Sequence, residues 1–362
     1  MGGKIRVGVL FGGRSAEHEV SVVSARSMLA AVDRDKYELV MIGISKEGRW
    51  LVCDDAQRLL AAEQVEEQGL LAVSLDYCGG RQLVAPGMAA RELDVVFPVL
   101  HGPYGEDGTV QGLLELADVA YVGTGVVGSA VGMDKEMMKR AFAAEGLPQL
   151  DYAVVRRSRW RRESEPVLDE LCARFDWPVF VKPANLGSSV GVSRAGDRRA
   201  LRDSIEDAAH YDYKIVIEEA AVDCREVEVA ILGNEDPQAS VVGEIEPSNA
   251  FYDYRAKYVD DNSALHIPAR IAPDLAEQVR TMGVRAFRAV EAWGLSRVDF
   301  FVGREDGRIY INEINTMPGF TPISMYPKLW EASGLSYSAL IDRLIELALQ
   351  RHEDKKQNRT SL

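Results

Sequence analysis

Two short stretches place oxygen-bearing side chains where they could share one cation. In INEINTMPGF (311–320), Ile311, Glu313 and Asn315 stand two apart, and in SRVDFF (296–301) so do Arg297, Asp299 and Phe301. Side chains alternate along a β-strand with period two, so each set is expected on one face. If the two segments pair, Asp299, Glu313 and Asn315 present two carboxylates and an amide together. That donor set suits Mg2+ bound through carboxylates and substrate phosphates, rather than a cage made wholly of protein. A solvated outer face explains either set alone. Two such sets among apolar neighbours favour the metal.

A second grouping could hold anions. FVKPANLGSSVGVS (180–193) carries Lys182 off a strand into a loop with Gly187, Ser188, Ser189 and Gly191. Small residues let backbone N–H groups approach phosphate oxygens, and a lysine supplies compensating charge. A hairpin loop with an incidental lysine fits this fragment equally well. The Walker spacing G-x-x-x-x-G-K-[ST] is absent. Lys135 in GMDKEMMK is a candidate second phosphate cation or a plain helical surface charge. GGRSAEHEVS (12–21) is glycine-rich between an expected strand and helix, but it lacks the G-x-G-x-x-G of dinucleotide folds. Glu17 there either meets a cationic ligand group or complements the helix dipole. His101 closes a strand in PVLHGPYGEDG, where a lone histidine is more often structural. Residues 248–264 gather Tyr252, Tyr254, Lys257 and Tyr258 into one irregular loop. Exposed rings in such number are costly. Either a lid with Lys257 on a phosphate or docking against the body would cover them.

The elements that must position these residues follow from periodicity. Segments 4–11, 37–45 and 93–102 read as strands alternating with helices in 15–32 and 108–119, which predicts a parallel sheet with loops at its carboxyl ends. A helix is expected over 134–146, with Met133, Met137 and Met138 as its packing. Strands follow at 177–183, 215–221, 227–234, 240–247, 296–303 and 309–315, and their alternating patterns predict an antiparallel second half. The charge run 156–163 reads as a solvated face, and 337–354 as an amphipathic helix.

Bulk properties exclude several classes. The chain has 362 residues, enough for two or three domains, and 47% of them are hydrophobic, which argues against global disorder. A formal charge of −14 disfavours nucleic acid and anionic membrane as partners. No apolar run is long enough for a membrane span, and the four cysteines lack C-x-x-C spacing, as suits a reducing cytoplasm.

In order along the chain, GGRSAEHEVS, HGPYGEDGTVQG, GMDK, VKPANLGSSVG, YDYRAKY, SRVDFF and NEINTMPGF resemble the motifs of the ATP-grasp ligases, and within them the D-alanine–D-alanine ligases. The resemblance spans residues 4–352. It implies an α/β chain in three domains. An N-terminal parallel α/β substrate-binding domain (1–124) is followed by two α+β units that clamp ATP. These are 125–217 with the phosphate loop and 218–352 with the lid and metal site; a disordered tail (353–362) closes the chain.

The activity implied is ATP-dependent ligation of two D-alanines through a D-alanyl phosphate, for peptidoglycan precursors. A different second substrate, such as D-lactate, is the alternative, although tyrosine at position 258 goes with the peptide-forming members. The resemblance also implies two Mg2+ ions with Mn2+ as substitute, a homodimer and a cytoplasmic location. Asp299, Glu313 and Asn315 match the metal ligands. Lys135, Lys182, Lys257 and the loop with Gly187, Ser188 and Ser189 match the phosphate contacts. Glu226 matches the ribose ligand. Adenine would lie against 218–222, including Ala221 and Val222. IEEAAVDCRE is one residue longer than the usual stretch, which leaves Glu218 or Glu219 to face the base. Glu17 and His101 match the first D-alanine's site, and Ser188, Tyr258 and Glu17 a hydrogen-bonded group tying lid to site. Arg297 and the Gly319 N–H match the donors to the tetrahedral intermediate, and Ser324 the contact to the second carboxylate.

Overall fold

A computed structural model describes residues 3–53, 60, 63–77, 80–246 and 264–359. The expected lid residues Tyr252, Tyr254, Lys257 and Tyr258 lie outside them.

The apolar run before the Gly-Gly turn forms β1 (Ile5–Gly12), and α1 (His18–Ala31) crosses over to β2 (Tyr37–Ile44). Short strands β3 (Trp50–Val52) and β4 (Leu71–Ala72) follow, then β5 (Ser74–Leu75), β6 (Gln82–Val84) and β7 (Arg91–Glu92), which make a small separate sheet. β8 (Val95–Val99), α2 (Thr109–Leu116) and β9 (Ala120–Tyr121) complete a six-stranded sheet in the order β4-β3-β2-β1-β8-β9. Its centre is parallel, as expected, and β3 and β4 add an antiparallel edge. Val7, Val9 and Phe11 of β1 pack one face while Leu10 packs the other. A parallel strand covered on both sides reads as a continuous apolar run for that reason.

Helices α3 (Val126–Met133) and α4 (Lys135–Ala144) lead into the second half. There β10 (Tyr152–Arg156), α5 (Arg157–Arg174), β11 (Val179–Pro183), β12 (Ser193–Ala195), α6 (Arg198–Tyr211) and β13 (Lys214–Glu219) build an antiparallel sheet ordered β10-β13-β11-β12. The charge run opens α5, with Arg161 and Arg162 exposed and Trp160 turned into the core. A five-stranded antiparallel sheet follows, ordered β16-β15-β14-β17-β18. Its strands are β14 (Cys224–Gly233), β15 (Gln238–Glu246), β16 (Ala264–His266), β17 (Gly294–Gly303) and β18 (Ile309–Asn315), with α7 (Pro273–Ala289) packed on β14 and β15. Helices α8 (Met325–Ala332) and α9 (Tyr337–Lys355) end the chain.

Two expectations need correction. Ile311 does not share a face with Glu313: the register of β17 against β18 shifts between Asp299↔Glu313 and Phe300↔Ile311, leaving Asn312 as the extra residue. The bulge turns Ile311 into the core with Val298 and Phe300, and leaves Glu313 and Asn315 on the open face. Residues 353–355 are helical and not part of a disordered tail, because α9 runs on to Lys355. Lys355 in its last turn complements the negative end of the helix dipole.

One core cluster joins the N-terminal sheet to the second half. It unites Val7 and Phe97 with Phe320, Tyr326 and Leu344. Phe320 is wholly buried, edge-on to Phe97 at 5.5 Å and stacked with Tyr337 at 6.3 Å between ring centroids. Phe320→Ala is expected to cost about 3–5 kcal/mol in urea denaturation, because the joint cannot collapse around the missing ring. A loss below about 1 kcal/mol would mean that Phe320 does not carry this joint.

Candidate active site

Three strands of the five-stranded sheet align acidic residues side by side. Glu228 on β14 pairs with Asp299 on β17, and Asp299 pairs with Glu313 on β18. Arg297 sits one step along the same face, opposite Asn315. Its guanidinium donates to both Asp299 oxygens at 2.7 Å and lies 3.1 Å from Glu228 Oε2. Burial disfavours the Arg297 cation, but the charges of Asp299, Glu228 and Glu313 outweigh this and hold it well above the usual arginine range. Asn315 Oδ1 accepts from the Met317 N–H at 3.0 Å, which fixes the turn after β18. These residues line a cavity of about 340 Å3, together with Gly319 and Ser324. Ser324 Oγ shares a hydrogen bond with Thr321 Oγ1 at 2.7 Å and accepts from the Thr321 N–H at 3.0 Å.

Glu17 and the glycine loop meet on the far wall of this cavity. Glu17 is buried and accepts from Ser188 Oγ. The contact is tight, since a Cβ at Gly102 or at Gly187 would fall 2.7 or 2.8 Å from Glu17 Oε2. Gly102 also holds a positive φ of 75°, which favours glycine there, while at Gly187 a side chain would have to displace the Glu17 carboxylate. Ser188 and Ser189 both hold positive φ, 49° and 57°, a strain typical of functional loops. His101 is held between Met317 O at 3.1 Å and Ser24 Oγ at 3.2 Å. Its burial pulls it below the ordinary histidine value despite the nearby Glu17 charge.

A second cavity of about 200 Å3 adjoins the first and shares Lys135, Gly187, Ser188, Glu226 and Glu313 with it. Lys182, Ser189, Glu218, Glu219 and Ala221 also line it. Lys135 opens α4 behind the cap Asp134, which accepts from the Glu136 and Met137 N–H groups and takes Lys214 Nζ at 2.5 Å. Lys135 Nζ donates to Leu186 O at 2.7 Å and so pins the glycine loop. Lys182 Nζ donates to Glu218 Oε2 at 2.5 Å. Burial lowers the Lys182 ammonium, but Glu218, Glu313 and Glu226 raise it above ordinary lysine. Glu218 is buried between lysines, while Glu219 is exposed at the end of β13.

Val222 is not gathered in: it is 70% exposed and lines neither cavity. Lys257 and Tyr258 lie outside the described residues. Sequence reading also missed two acids. Glu228 stands two residues beyond Glu226, which the resemblance singled out, and strand alternation puts it on the same face. Glu106 is buried in the loop after β8 and accepts from the Gly102 N–H at 2.6 Å, a long-range burial that no local pattern announces.

The sequence matches two family descriptions, "D-ala D-ala ligase N-terminus" over residues 6–124 and "D-ala D-ala ligase C-terminus" over 141–346. The chain belongs to the D-alanine–D-alanine ligase family. It is 49% identical to a D-alanine–D-alanine ligase of Acetivibrio thermocellus, over 98% of each chain. A ligase of the same name from Geobacillus thermodenitrificans is 47% identical, again over 98% of both. Among solved structures, the Coxiella burnetii D-alanine–D-alanine ligase superposes with a TM-score of 0.86 at 35% identity, covering 98% of this chain and 96% of that one. VanG D-Ala:D-Ser ligase from Enterococcus faecalis does so with 0.86 at 33%, covering 96% and 100%. The three-unit ATP-grasp architecture expected from the motifs is that of these ligases.

Burial, reinforced by the charge of Glu17, pushes the Glu106 carboxyl well above its ordinary range in this ligase fold. The native state then holds a proton that the unfolded chain releases above about pH 4.5, so Glu106 stabilises at low pH and loses that contribution as pH rises through its raised value. Glu106→Gln should flatten this part of the stability profile in denaturation measured across pH. An unaltered profile would mean that Glu106 is ionised.

Proposed function

We propose that the protein joins two D-alanines into D-alanyl-D-alanine, converting ATP to ADP and phosphate, to supply peptidoglycan precursors. The observation that carries this reading is the joining of two cavities at one loop. Lys182 lines the cavity on one side of Gly187 and Ser188, the buried Glu17 lines the other, and Lys135 lines both. A triphosphate and a small amino acid would meet there.

In this reading the nucleotide lies in the second cavity, with adenine against Glu219 and Ala221, ribose at Glu226 and phosphates at Lys135, Lys182 and the 187–191 loop. Glu17 takes the ammonium of the first D-alanine, whose carboxylate accepts the terminal phosphoryl group to give an acyl phosphate. The neutral amine of the second D-alanine attacks that carbon and phosphate leaves. Arg297 and the Gly319 N–H stabilise the oxyanion that forms, and Ser324 holds the second carboxylate. Arg297 is hydrogen-bonded to Asp299 and ion-paired with Glu228, so it must share its donors or turn to serve the oxyanion.

Metal binding belongs to the proposal. Among the described residues no three His, Cys, Asp or Glu side chains form a ready metal cluster. Asp299 and Glu313 stand opposite each other with Asn315 beside them, which fits a cation completed by phosphate oxygens better than a protein cage. Bound there, two Mg2+ ions, or Mn2+ in their place, would offset the charge of phosphates brought against a carboxylate. The division into 1–124, 125–217 and 218–352, a homodimer and a cytoplasmic location complete the proposal. The described cysteines Cys53, Cys172 and Cys224 are free thiols, which suits a reducing compartment.

Phosphate release with ATP, Mg2+ and D-alanine should exceed that with L-alanine, and D-alanyl-D-alanine should accumulate in step. Release indifferent to D-alanine would overturn the ligase reading. Glu313→Ala should lower turnover at least about a hundredfold while the protein remains folded. Near-normal turnover would remove Glu313 from the metal site.

A further inference from the structure

A lysine outside both cavities is buried against a residue that lines one of them. Lys139, on α4, is only 2% exposed. Its ammonium donates to Glu218 Oε1, while Lys182 donates to the other carboxylate oxygen, Oε2, at 2.5 Å. Lys182 and Glu218 line the second cavity, and Lys139 stands behind them without reaching it. The Tyr152 ring flanks the ammonium, with Nζ 5.3 Å from its centroid. Burying a lysine is costly unless it is paired and held by hydrogen bonds. A cluster of two ammonium groups on one carboxylate carries a net positive charge, and the member left facing the cavity is Lys182.

We propose that Lys139 is a positioning residue for nucleotide phosphate: by occupying half of Glu218, it leaves Lys182 with uncancelled charge for the triphosphate. This rests on the ATP reading above. Without Lys139, Glu218 would turn its whole charge on Lys182, and an incoming phosphate would have to displace a buried carboxylate from the same donor. With Lys139 in place, Glu218 is already served. Glu218 is held ionised, near pKa 2, against burial by the charges of Lys139 and Lys182, so the bridge persists throughout the neutral range. Glu313 and Glu226 also act on Lys182, which makes a second source of positive charge behind it more necessary.

The test compares ATP with adenosine, which lacks phosphates, by calorimetric titration of the full-length protein. Lys139→Met should weaken ATP about tenfold or more and leave adenosine within about twofold, with a cooperative thermal melt retained. The double variant Lys139→Met with Glu218→Gln removes both charges and frees Lys182, so its ATP-to-adenosine affinity ratio should return to that of the parent. Equal weakening of both probes, or no weakening, would overturn the proposal, as would a double variant whose ratio stays at the single-variant level. If Lys139→Met does not fold, the double variant decides: a parental ratio supports the proposal and a lower one overturns it. A parent that binds neither probe would overturn the nucleotide reading and this inference with it. A parent that binds ATP beside unaltered variants overturns this inference alone.

Discussion

Like charges must be brought together in this molecule before anything else can happen. Glu228, Asp299 and Glu313 stand in one row across three strands, and the proposed ligands add a triphosphate and carboxylates to the same space. Such a row is tolerable only because cations are built into the same face. Arg297 is locked to Asp299 and Glu228, and Lys182 answers Glu218 while feeling Glu313 and Glu226. These groups lie in a largely water-excluded setting, where charge interactions are stronger than in water and unpaired charge is correspondingly costly. The balance of buried charge explains why so many acidic and basic side chains occupy positions that would otherwise be apolar.

Positioning these charges depends on the joint between the two halves. Glu17 and His101 come from the loops after β1 and β8 of the parallel sheet, Ser188 from the loop after β11, and Met317 and Gly319 from the turn after β18. Phe320 follows Gly319 directly, and its ring is sealed among Phe97, Tyr326 and Tyr337. The apolar joint therefore fixes the backbone that the site uses. Tyr337 Oη reinforces it by donating to Phe320 O at 2.9 Å. A shift of the two halves would move Glu17 relative to Ser188, and the tight packing of Glu17 against Gly102 and Gly187 leaves little room for that.

Local pattern carried most of the fold and the polar face of the site. β1, β2 and β8 were legible because strands covered on both faces are continuous apolar runs, and β17 because polar and apolar residues alternate from Arg297 to Phe300. β18 was legible as a strand but not in its facing. In INEIN the apolar residues Ile311 and Ile314 are three apart, not two, and that spacing is the trace of the bulge at Asn312. Glu106 and Lys139 were illegible for a different reason. Each looks like an ordinary charged residue in its own segment, and a group far along the chain meets it in the fold, the Met317 backbone for one and Glu218 for the other. Long-range pairing of that kind leaves no periodic mark.

The bulge also ties the sequence to the chemistry. Without it, strict alternation would set Glu313 and Ile311 on one face and Ile314 on the other, so either the acid or an isoleucine would be misplaced. Inserting Asn312 lets Ile309, Ile311 and Ile314 all pack inward while Glu313 and Asn315 face the cavity. Asn312 itself lines both cavities, so the inserted residue is not hidden but adds an amide to the seam between them. A regular strand would have to choose between a full core and a full set of oxygen ligands. The irregular one supplies both, which is why the apolar spacing in this short stretch departs from period two at the point where the acid is needed.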